Sequence, residues 1–176
     1  RVEFSQRDAN KRLGHSHHDA MNLSRKRKGT MRIKIVIRCA PEDRNFLMEL
    51  MRHLKSLERT KCVSIFHDGK IQTGECSHYN MRIHMLQAHI ILPLISSYFI
   101  ASDAHLEIEQ ALLYPKRVPA RIIPIIVRAV DWQTGPLGAL KALPENNTPV
   151  RQWSDRDSAW VDIVRHIRAI VAELAD

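Results

Sequence analysis

The spacing of apolar residues changes character along the chain, and after residue 31 it sets out an alternating series of strands and helices. Residues 32–38 (RIKIVIR) are rich in β-branched side chains and predict a first strand. Pro41, Glu42 and Asp43 then open a helix, since proline suits a first turn and acids suit its positive dipole end. Leu47, Leu50, Met51, Leu54 and Leu57 continue it at i, i+3, i+4, i+7 spacing, the mark of a core-facing helix. A second strand over residues 61–66 runs into the loop 67–74, where Gly69 and Gly74 supply turn geometry. The helix predicted over 77–87 carries Met81, Met85 and Leu86. Residues 89–95 are nearly all apolar, as a strand covered on both faces should be, and are expected at the centre of the sheet. A short turn over 98–102 leads to a helix over 103–113, with Asp103 as its N-cap. In the fourth strand, residues 121–127 (RIIPIIV), Pro124 demands an edge, a bulge or an unpaired N–H. A long loop over 128–149 precedes a short fifth strand at 150–153. The last helix, opened by Asp155 or Asp157, buries Trp160, Ile163, Val164, Ile167, Ile170 and Val171.

Five β-α alternations predict a parallel sheet with helices on both faces, through right-handed crossovers. Residues 31–176 are therefore expected to form one α/β domain. Residues 1–30 lack hydrophobic periodicity and cannot bury enough apolar surface to offset chain entropy, so a disordered basic leader or a vector-derived segment is expected there. His15, His17 and His18 lie in it and are read as incidental rather than as metal ligands. Because the chain begins at Arg1, it is read as a piece of a longer protein with further domains upstream.

Composition narrows the class. An apolar fraction of 44% and a charged fraction of 26% belong to an ordinary globular protein. The longest apolar run, residues 90–95, contains Pro93 and falls far short of the ~20 residues that cross a bilayer, so no membrane span is predicted. The formal charge of +8 suggests a polyanion partner until it is located: eight Arg and Lys against three acids put +5 in residues 1–30 and leave +3 for the rest. Nucleic acid is accordingly expected only in non-specific contact with the basic run 25–28. Cys39, Cys62 and Cys76 are odd in number and widely spaced, which indicates neither a disulfide framework nor a zinc site. A reducing, cytoplasmic setting follows, and no secretory signal is seen.

Several ordered strings go further than the pattern. Residues 35–43 (IVIRCAPED) align with a strand and "SYSHKD"-like turn, Asp43 falling on its acid; residues 66–74 (FHDGKIQTG) align with "WHDRKIxPG". Residues 88–102 (AHIILPLISSYFIAS) align with "ADIILLLISPDFLAS", and 121–132 (RIIPIIVRAVDW) with "RVIPIILRPVDW". Taken together, residues 32–175 resemble the Toll/interleukin-receptor (TIR) domain family of bacterial type. The resemblance implies a flavodoxin-like three-layer sandwich, with a five-stranded parallel sheet of order 2-1-3-4-5 and a ligand crevice at the carboxyl ends of the strands. It also implies one of two activities. TIR domains either associate with other TIR domains as signalling adaptors, or cleave NAD+ to nicotinamide and an ADP-ribose product. NAD+ would then be a substrate, and no bound cofactor or metal is implied.

The family's "E-x-x-x-A-L" helix falls on Glu107-Ile108-Glu109-Gln110-Ala111-Leu112, which puts the catalytic position on Glu107, with Glu109 as second choice. The two lie about 200° apart around a helix and cannot both face one crevice. Breaking the nicotinamide–ribose bond develops an oxocarbenium-like cation, and a carboxylate stabilises that charge. The competing reading of Glu107 is a solvated first-turn glutamate favoured by the helix dipole. Arg38, Cys39 and Ala40 after strand one, Ser96 and Ser97 after strand three, and Asp103 complete the implied nucleotide rim. Arg38 has an alternative as an ion-pair partner of Glu42 or Asp43. His67-Asp68 is read as loop structure, because adjacent side chains diverge and no third metal ligand is placed. Asp103 and Ser77 stand where aromatic residues are frequent in the family, and those departures favour the silent-adaptor alternative. A phospho-accepting receiver domain is set aside, because Ser96 occupies the place of its aspartate.

Overall fold

The computed structural model describes residues 32–70, 77–115 and 118–176, with Ser77 and His78 described by backbone alone. The segment 1–30, with its three histidines, lies outside the described residues, as do Cys76 and the end of the loop after the second strand.

The isoleucine- and valine-rich run forms β1 (Ile33–Arg38), which pairs in parallel with β2 (Val63–His67) on one side and β3 (Ile90–Ile95) on the other. Ile35 sits opposite Ile65 and Ile90 in the two ladders. On its far side β3 pairs with β4 (Arg121–Ile122) and β5 (Ile125–Ile126), so the order is β2-β1-β3-β4 with β5 also on β3. Every pair is parallel, and β3 is central, as its unbroken hydrophobicity predicts.

The structure departs from the expected strands at two places, the first through the absence of an N–H on proline. Pro124 breaks the predicted fourth strand into β4 and β5, and its carbonyl accepts instead from Leu143 N at 2.8 Å. The fifth strand predicted at 150–153 is not a strand: after Pro149 the chain turns through a 3₁₀ helix, Val150–Gln152. Beyond β5, among the described residues, the sheet continues as a parallel bridge between Ile125 and Leu143.

Strand alternation divides the core in two. Ile33, Ile35, Ile37, Leu92 and Leu94 face α1 (Arg44–Arg59) and α5 (Arg156–Ala175), whereas Val36, Ile91, Ile95 and Ile126 face α2 (Ser77–Leu86) and α4 (Asp103–Leu113). This is the flavodoxin-like three-layer α/β sandwich. Leu47, Leu50, Leu54 and Leu57 of α1 are buried as their spacing requires, and Trp160 Nε1 of α5 donates to Glu49 Oε2 of α1 at 2.8 Å. On the other side Met81 and Met85 are buried, but Leu86 is exposed. The predicted turn at 98–102 is a short helix, α3 (Ser97–Ile100), capped by Ser96 Oγ accepting from Phe99 N at 3.0 Å. Ser102, not Asp103, occupies the N-cap of α4, and Asp155 caps α5 by accepting from the N–H groups of Asp157 and Ser158. No helix among the described residues is long and apolar enough to cross a membrane.

At the carboxyl edge the elements meet on Asp43, which is 0% exposed. Its Oδ1 accepts from Arg128 Nε at 2.7 Å and its Oδ2 accepts from Ser96 Oγ, so the starts of α1 and α3 and the segment after β5 share one carboxylate. Removing one partner of such a group strands the others without compensation. Asp43→Ala is expected to lower stability by about 3 kcal/mol, read from the shift of the urea unfolding midpoint.

Candidate active site

Alternation along β1 turns Arg38 to the same side as Val36, toward α4, and it is only 6% exposed at the end of the strand. There it meets two acids. Its Nη1 donates to Asp68 Oδ1 at 2.7 Å, from the turn after β2, and its Nη2 donates to Glu107 Oε2 at 2.6 Å, from the second turn of α4. The third guanidinium nitrogen, Nε, is buried and its N–H meets no acceptor among the described residues. Arg38 therefore does not pair with Glu42 or Asp43, because Asp43 is turned to the carboxyl edge and engaged by Ser96 and Arg128.

Both acids stay partly open: the side chains of Asp68 and Glu107 are 33% and 27% exposed. Glu107 also lines a cavity of about 240 Å³ between α2 and α4, walled by Met85, Leu86, Ala111, Tyr114 and Val118 and edged by Arg82 and Gln110. Glu109 points elsewhere. Its Oε1 lies 3.5 Å from His105 Nε2, and it packs so closely on Gly135 that a Cβ there would approach it to 2.8 Å. The two glutamates thus separate around α4 as helical geometry requires.

The remaining rim candidates scatter. Cys39 faces opposite to Arg38, against the core under α1 and α5, and burial together with the charges of Asp68 and Asp43 pushes its thiol up to about 12. Burial thus disfavours the thiolate form there. Ala40 is buried on the α2/α4 side and Ser96 is sealed beneath α3. Ser97 and Asp103 are exposed, on the first turns of α3 and α4. Phe66, where the family string has tryptophan, stacks on His84 of α2 with ring centroids 3.5 Å apart.

Asp68 is the participant that sequence reading undervalued. Its neighbour His67 does turn away, accepting from Gly69 N at 3.1 Å, and burial lowers the His67 pKa, so the pair is not an acid/base couple. Among the described residues no three His, Cys, Asp or Glu side chains converge as metal ligands. Asp68 instead works through Arg38. A signal existed in the strand arithmetic, since Arg38 ends β1 and Asp68 follows its parallel neighbour β2 one residue beyond the pair Ile37–His67.

A buried arginine flanked by two acids at the carboxyl ends of a parallel sheet, where the strand order reverses between β1 and β3, is the usual ligand position of doubly wound α/β domains. Among solved structures the chain resembles the TIR domain of the Toll-related receptor TRR-2 from Hydra magnipapillata. The TM-score is 0.53, with 21% identity, over 76% of this chain and 97% of that one. The chain has the TIR-domain fold. No family model matches it. Protein y4lF of Sinorhizobium fredii, described as uncharacterized, is 35% identical over 128 residues, which are 72% of this chain but 40% of y4lF. The chain therefore spans about two fifths of that relative.

Burial raises the pKa of the Asp68 carboxyl, and the Arg38 charge opposes the rise. Since the folded-state value lies above the unfolded one, this carboxyl favours folding most at pH below its unfolded value, and the contribution fades as pH rises through the folded value. In a carboxyl ¹³C NMR titration Asp68 is expected to titrate above an ordinary aspartate, and Arg38→Ala should move it higher still.

Proposed function

We propose that this domain cleaves NAD+ to nicotinamide and an ADP-ribose product when copies associate, in a signalling or bacterial-defence role, with Glu107 as the catalytic carboxylate. The observation that carries the reading is the position of Glu107: partly open at the carboxyl ends of the strands, oriented by Arg38, and facing an apolar cavity. About 240 Å³ is below the ~300–1,000 Å³ of pockets that enclose a whole ligand, so the cavity suits one end of a dinucleotide.

The chemistry asks little of the protein beyond charge and placement. The bond from ribose C1′ to the nicotinamide nitrogen breaks with its electron pair going to the ring, which leaves as a neutral molecule. Positive charge develops on the ribose and is met by the Glu107 carboxylate, after which water forms the new C–O bond and gives up a proton. Arg38 holds that carboxylate to one orientation, which an isolated glutamate on a helix surface lacks. A neighbouring TIR domain would complete the pocket from outside, which accounts for activity on association.

A second reading, a TIR–TIR adaptor without turnover, is favoured by the apolar surface around the same site. Leu106, Leu113 and Tyr114 of α4 and its end are more than half exposed, and Leu86 of α2 is nearly so. The discriminating measurement is nicotinamide release from NAD+ by the purified chain at high protein concentration. Glu107→Ala is expected to abolish release while Glu109→Ala retains most of it. Equal activity in the two variants overturns the assignment of Glu107, and association without any release selects the adaptor.

A further inference from the structure

On the opposite face of the sheet from Glu107, α1 presents Asn45, Met48, Glu49 and Arg52 at spacings of three and four, which aligns them along one side of the helix. Arg128 after β5, Arg151 from the 3₁₀ turn and Arg156 from the first turn of α5 close on that side. Together they line a cleft of about 370 Å³. Arg128 and Arg151 also line an adjoining cleft of about 440 Å³ with Ser97 and Tyr98.

Two of the four arginines are committed within the fold, Arg128 to Asp43 at 2.7 Å and Arg156 to Glu49 at 2.6 Å. Both are also held over the buried Phe46 ring, at 5.1 and 5.5 Å from its centroid. Arg52 and Arg151 are exposed and meet no carboxylate among the described residues. The cleft itself is lined by these four positive charges and the Glu49 carboxylate, with Asp43 buried behind Arg128, while Arg52 and Arg156 also share a neighbouring cleft with Asp155 and Asp157. The guanidinium groups that meet no carboxylate, those of Arg52 and Arg151, are the ones an anion would engage. Planar guanidinium forks match phosphate oxygens two at a time. The cleft is closed by several elements rather than drawn out into a basic stripe, and its volume falls in the ~300–1,000 Å³ range of small-ligand pockets, so a polynucleotide groove is a poor description of it.

We propose that this cleft binds a small phosphorylated ligand, with Arg52 and Arg151 taking the phosphate and Arg128 and Arg156 fixing the walls, Arg128 also lying over the Tyr98 ring of the adjoining cleft at 5.5 Å from its centroid. The site is separate from Glu107 and independent of NAD+ cleavage.

Isothermal titration calorimetry of the purified chain at low ionic strength tests it, with adenosine 5′-monophosphate as probe, adenosine as the unphosphorylated control and inorganic phosphate as competitor. The expected result is binding of the monophosphate, none of adenosine, and displacement by inorganic phosphate. The double variant Arg52→Ala/Arg151→Ala should weaken binding at least about tenfold, each single variant carrying part of the loss, and Glu107→Gln should leave it unchanged. Both arginines are exposed, so a thermal midpoint close to that of the parent should accompany the loss. No binding of the monophosphate, equal binding of adenosine, failure of phosphate to compete, binding that survives the double variant, or binding lost in Glu107→Gln would each overturn the proposal.

Discussion

Asp43 is a carboxylate wholly removed from water, and much of the carboxyl edge is organised by the need to satisfy it. Burial of an unpaired charge is prohibitively costly, so its two oxygens must find donors. They find Arg128 from the segment after β5 and Ser96 from the end of β3, and Ser96 in turn caps α3. One residue thereby fixes how the chain leaves three neighbouring positions of the sheet. Two charged clusters flank this point on that edge: Arg38 with its acids on one face, and Arg128 with its companion arginines on the other.

The division into two faces has an electrostatic counterpart. Toward α2 and α4, one buried guanidinium is shared by two carboxylates and the cluster is net negative. Toward α1 and α5, four guanidinium groups meet two carboxylates and the cluster is net positive. Strand alternation separates the two layers at β1, whose successive residues are dealt to opposite sides, and the helices and turns of each layer bring the rest. Arg38 and Cys39 show this directly, one in the acidic cluster and the next against the α1/α5 core, with its thiol suppressed by burial.

The architecture was largely legible from periodicity, because strands covered on both faces and helices with one apolar stripe leave strong signals. The failures are local and concern proline and capping. The run RIIPIIV looks like one strand, and only the hydrogen-bond partners of Pro124 and Leu143 reveal two. The Val150 segment has strand-like residues but closes as a turn, Gln152 N donating to the Pro149 carbonyl. At the site, Glu107 was reachable by aligning a helix motif, whereas its relation to Asp68 was not. That relation spans three elements, and neither residue marks the other by spacing. Arg38 looked ready to pair with the acids nearest in sequence, but a strand end and the turn after it point in different directions.

A guanidinium divided between two carboxylates from different elements also makes those elements partners in one negotiation. Arg38 gives Nη1 to Asp68 and Nη2 to Glu107, so a rotation of the guanidinium toward one acid carries it away from the other. A shift in the turn after β2 would be felt at α4 as a change in how tightly Glu107 is held. Substitutions at the three positions should therefore not sum, and the effect of altering any one is defined only once the states of the other two are given.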